Sequence, residues 1–164
     1  MGTPLLQSLF RQKAAIDEEF FTVIETMAAA DRHEAIRVLN HIHVVDQIFV
    51  AHLRGEPHRF EATNTPETPT LDALRAAMRE TDRWFVEHAD ALTPSQLGEA
   101  LDFTFTDGER GRMSREEMLA HVVTHGSYHR GEVGRLLKSR AIAPPRDLFT
   151  AYLHRAEPQR RVPA

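Results

Sequence analysis

At 164 residues the chain suits one domain whose apolar core needs no covalent staple. It has no cysteine, which excludes a thiol nucleophile, a disulfide framework and any Cys-ligated metal. The net charge of −4 offers no broad positive field for a phosphate backbone, and no apolar run approaches the roughly 20 residues that cross a bilayer.

The opening MGTPLLQSLFRQK lacks the basic start and apolar run of a secretory signal, and Leu6 stands where a myristoylation motif after Gly2 wants Ser or Thr. The expectation is a soluble, cytoplasmic protein that engages neither nucleic acid nor membrane. Thr3-Pro4 reads as an N-cap with proline at the first helical position. The helix it opens should run to about Ala29 on a stripe of Leu5, Leu6, Leu9, Ile16, Phe20, Val23, Ile24 and Met27. Asp31 with Glu34 resembles a capping box for a second helix, stopped by Gly55 and Pro57 after Arg54.

GEPHRFEATNTPETPT has no period and is long for a bundle connection, so it reads as a crossover or site-covering loop. Thr70 should cap a third helix to about Leu92, and Thr93-Pro94 a short helical turn. In LDFTFTDGERGRMS, Leu101, Phe103 and Phe105 alternate with polar residues before Asp107-Gly108, which predicts a hairpin. Ser114 and Glu117 form a capping box for a fourth long helix to about Arg140, ended by Pro144-Pro145. A short helix from Arg146 to about His154 should pack back through Leu148, Phe149, Tyr152 and Leu153. Four long amphipathic helices predict an all-α four-helix bundle spanning residues 1–156, with a β-hairpin insertion and a tail over 157–164.

Ten residues are histidine. His121, His125 and His129 follow one another at i, i+4 and share a stripe with Met118, Val122, Val133 and Leu136. Buried imidazoles are costly without partners, and a shared metal ion would partner several at once. HxxxH alone is a weak signal, more often structural, and Gly126 replaces the Glu that a zinc-protease motif needs. The second helix strengthens the reading, because His41 lies on the stripe of Val38, Val45 and Ile48 and can face His125 and His129. His43, two residues on, points elsewhere. His33, His52, His58, His88 and His154 read most simply as solvent-facing or loop residues.

NHIHVVDQIFVAHLRG and HVVTHGSYHRGEVGRLL resemble the two signature segments of the DinB family. The similarity extends through FTFTDGERGRMSREEM to the ending APPRDLFTAYLH, essentially the whole chain. The resemblance implies an up-down-down-up bundle, commonly a homodimer of stress-response type, with metal held by His41, His125 and His129. Where the family has an aromatic-rich first helix, this chain has Arg11-Gln12-Lys13.

His121 and His43 are left as partners to the ligands, as a fourth ligand, or as satisfied core histidines, and Arg130 as an anchor for an anionic substrate or a partner for an acid. Asp46, Glu116, Glu117 and Glu132 are the carboxylates within reach of the ligand rings, though each reads more simply as a solvated helix charge. Imidazole ligands suit zinc or nickel, with iron or manganese as alternatives. Three of them leave positions open, which fits a metal-dependent transferase or hydrolase acting on a small-molecule thiol or electrophile, and the resemblance implies the thiol S-transfer type. The other reading is a non-catalytic, dimeric metal-binding protein of the stress response.

Overall fold

The computed structural model describes residues 4–162, so the N-cap expected at Thr3 lies outside them. Helices α1 (Pro4–Glu25), α2 (His33–Arg54) and α3 (Leu71–Ala91) are followed by the short α4 (Pro94–Leu97). Strands β1 (Ala100–Thr104) and β2 (Arg110–Ser114) then precede α5 (Arg115–Ser139) and α6 (Phe149–Ala156).

Side-chain pairs fix the helix directions. Arg11 meets Asp90 and Glu18 meets Arg75, so α1 and α3 are antiparallel. His41 meets His129 while the Leu53 carbonyl accepts from Arg115, so α2 and α5 are antiparallel. Gln47 bonds Thr81 and Arg54 lies over Trp84, so α2 and α3 run the same way. The bundle is therefore up-down-down-up, and the crossover it requires between the parallel α2 and α3 is the long segment 55–70.

Local signals hold at most element ends. Gly55 closes α2 at φ 69°, a left-handed conformation that glycine adopts without strain. Thr70 accepts from the Ala73 amide, and Ser114 and Glu117 make the reciprocal capping box of α5. The α1–α2 junction differs from expectation. Helix α1 ends at Glu25, Asp31 sits in a 3₁₀ turn (Ala29–Asp31), and no side chain caps α2. Arg32 instead donates to the carbonyls of Met27 and Glu25, satisfying acceptors that the end of α1 leaves free.

The core is divided. One apolar cluster gathers Phe20, Phe21, Ile24, Leu39, Leu74 and Val133, and the other Phe10, Phe49, Phe85, Met118 and Val122. Leu5, expected in the first stripe, is exposed.

The hairpin closes in the register Phe103↔Gly111, with the Phe103 ring lying over the glycine. A Cβ on Gly111 would come within 2.6 Å of that ring, and Phe103 is itself buried. Gly111→Ala is expected to cost about 1–3 kcal/mol through overpacking, read as a lowered midpoint in urea. An unchanged midpoint would show that the ring moves freely.

Candidate metal centre

The α2–α5 pairing brings three imidazoles together. His41 Nε2 lies 3.1 Å from His129 Nε2 and 3.1 Å from His125 Nε2. One ligand atom from each ring lies within 4.8 Å of the others, a group able to hold a metal ion. The residues fit such an ion in donor type and in orientation. On His41, Nδ1–H donates to the Thr63 carbonyl at 2.7 Å, and His129 Nδ1 lies 2.7 Å from Glu132 Oε2. Fixing Nδ1 as the donor leaves Nε2 with the lone pair that binds metal, and an anionic or carbonyl acceptor makes that nitrogen more basic. His125 Nδ1 is buried with no such partner.

Burial sets the charge state. It pushes His125 down to about 3, helped by the neighbouring imidazoles and by Lys13, and it lowers His41 against the pull of Thr63. Both rings are neutral near pH 7, the form that ligates. All three remain partly exposed, so the centre stays within reach of solvent.

Of the other sequence candidates, His121 stacks at 5.4 Å on His125 and at 4.6 Å on Phe49, outside the three-histidine group. His43 also lies outside it, held down to about 4 by burial and by the charges of Lys13 and Arg59. Arg130 is only 1% exposed and donates to Asp17 and Asp147. Of the two roles left open for it, pairing with an acid is the one the structure displays. Among the four carboxylates, Glu132 alone is drawn as a partner of a ligand ring. Asp46 turns to Lys13, and Glu117 caps its helix. Ser127 donates to Asp147, and Tyr128 is exposed with its ring perpendicular to that of His129.

Behind His125 lies a feature that sequence reading missed. Lys13 Nζ is fully buried and meets Asp17 at 3.0 Å, Asp46 at 2.7 Å and Asp82 at 2.7 Å. Arg130 joins Asp17 to Asp147, which also accepts from Gln12. Burial raises Asp46 to about 6 and Asp82 to about 7 despite Lys13. In Asp17 the two cations outweigh burial and lower its pKa. Gly126 makes room for this cluster, since a Cβ there would stand 3.0 Å from the Arg130 guanidinium and 3.6 Å from Lys13. The signal was present in α1, where Lys13 and Asp17 occupy the stripe of Leu6, Phe10, Ile16 and Phe20, core positions that charge rarely takes.

A family model, that of the DinB family, matches residues 1–161, nearly the whole chain. No curated protein matches it. Among the described residues, no helix is long and apolar enough to cross a membrane.

Proposed function

The chain belongs to the DinB family, and on that premise we propose that it is a divalent-metal protein, with His41, His125 and His129 as ligands, acting on a small molecule by thiol transfer or hydrolysis. One observation carries the reading: three Nε2 atoms converge while the Nδ1 atoms of His41 and His129 are tied to Thr63 and Glu132. A histidine stripe that served packing alone has no need of that orientation.

Three protein ligands leave coordination positions open, unlike a closed structural site. A divalent ion held by His41, His125 and His129 would keep its full charge, since imidazole ligands carry none, and would make a water or thiol beside it more acidic. The chain's own part is positional. Thr63 and Glu132 fix the ring tautomers, and the partly exposed rings give a small molecule access. Arg130, enclosed between two aspartates, is not available to a substrate anion. Zinc and nickel suit the donor set best, with iron or manganese as alternatives.

Elemental analysis of the purified protein beside a His125→Ala, His129→Ala double variant tests the site. A single divalent ion per chain, lost in the variant, is the expected result. No ion in either protein after reconstitution would reduce the stripe to packing. Cobalt substitution then separates the two functional classes. A d–d spectrum that responds to small thiols supports the enzyme, and one indifferent to thiols and hydrolysable esters supports the non-catalytic protein.

A further inference from the structure

The acceptor that orients His41 is a backbone carbonyl in the crossover, and residues 56–70 contain neither helix nor strand. A carbonyl on such a segment can orient a ligand only where the segment itself is fastened, because its conformational entropy otherwise disperses it. The fastening is local and comes from α2. Asn40 Nδ2 donates to Asn64 Oδ1 at 2.5 Å and to Thr65 Oγ1 at 2.6 Å. Asn64 returns a bond to the Arg37 carbonyl at 3.0 Å, and Arg37 donates to the Thr65 carbonyl at 2.5 Å. The Thr65 amide donates to Asn64 Oδ1, and Thr65 Oγ1 to the Glu67 carbonyl. Thr63, Asn64 and Thr65 are thus gripped by Arg37, Asn40 and His41, which lie within little more than one turn of α2.

Asn40 is 3% exposed, a place where an amide is costly unless its donors are used. Both of its hydrogens go to the crossover and none to a metal-ligating ring. We propose that Asn40 is a positioning residue of the metal centre: through Asn64 and Thr65 it latches the crossover so that the Thr63 carbonyl holds His41 in its ligating orientation. The proposal rests on the three-histidine reading above. Its thermodynamic corollary is reciprocal. If the latched crossover favours metal binding, bound metal orders the crossover by the same factor.

The test measures zinc affinity by competition with a chromophoric chelator, together with amide exchange at residues 60–67 with and without zinc. The proteins are wild type, Asn40→Ala, Asn64→Ala and Thr65→Val, and none of these substitutions touches a ligand. Each variant is expected to raise the zinc Kd roughly 10- to 100-fold, the usual weight of a residue that orients a ligand. Zinc should slow exchange at Thr65 in the wild type and do so far less in the variants. The two partly exposed loop positions keep the test informative should Asn40→Ala fail to fold. A His41→Ala background adds a cycle in which the Asn64→Ala effect should vanish, an outcome that general destabilisation does not produce. Wild-type zinc affinity in the Asn64→Ala and Thr65→Val variants, whatever their melting points, would overturn the latch while leaving the metal centre standing. A wild-type protein that binds no zinc would remove both.

Discussion

Lys13→Met is expected to destabilise the fold by about 3–5 kcal/mol at pH 8, the usual cost of removing one partner from a buried ion pair. The ammonium is fully buried and meets three carboxylates from α1, α2 and α3, so its loss leaves Asp17, Asp46 and Asp82 facing one another. Methionine fills the volume of the stem, which isolates charge from packing. The cost should shrink at pH 5.5. Asp46 and Asp82 titrate at about 6 and about 7, so both are largely protonated there even in the wild type. The sign follows from linkage: a carboxyl with a raised folded-state pKa favours the fold at low pH and withdraws that support as pH rises through the folded value. A cleft of about 320 Å³ between α1 and α3 has Asp17 and Asp82 among its lining residues. Urea denaturation at the two pH values reads the effect. A loss below 1 kcal/mol at both would mean that the cluster is not ionised as described.

Zinc at a thousandfold excess over its Kd is expected to stabilise the native protein by about 4 kcal/mol. For a chain of this size that raises the melting temperature by roughly 8–16 °C. The shift arises because His41 comes from α2 while His125 and His129 come from α5, so only the folded bundle presents all three. Excess chelator should return the transition to its metal-free value, and the His125→Ala, His129→Ala double variant should show no zinc dependence. Calorimetry with and without chelator decides it. An equal shift in the double variant would place the stabilising zinc elsewhere on the molecule.

The helices were legible because their signals are local. Proline at the start of α1, Thr70, Gly55 and the Ser114–Glu117 box act within one turn of the chain, and the apolar stripes repeat at the helical period. The junction at Asp31 was misread for a related reason. Its capping pattern is local too, but Asp31 is taken up by the 3₁₀ turn, which puts Arg32 at the start of α2, its side chain turned back to the carbonyls left by α1. The hairpin lay in the alternation of Leu101 and Phe103, though Phe105 fell beyond the strand and stands exposed.

The site divides in the same way. Sequence alone determined that His125 and His129 share a face one turn apart, since i, i+4 spacing admits no other arrangement on a helix. It also placed His41 on the inward stripe of α2. That α2 runs antiparallel to α5 in the register that sets His41 against both was a tertiary decision, made by the packing of the two core clusters and the long crossover. Thr63 was beyond sequence reading altogether, because it contributes a backbone carbonyl and every residue carries one. Lys13, Asp46 and Asp82 lie on three separate helices, and no local spacing relates them. Only the closed bundle, by excluding water from all three at once, turns them into a single coupled group.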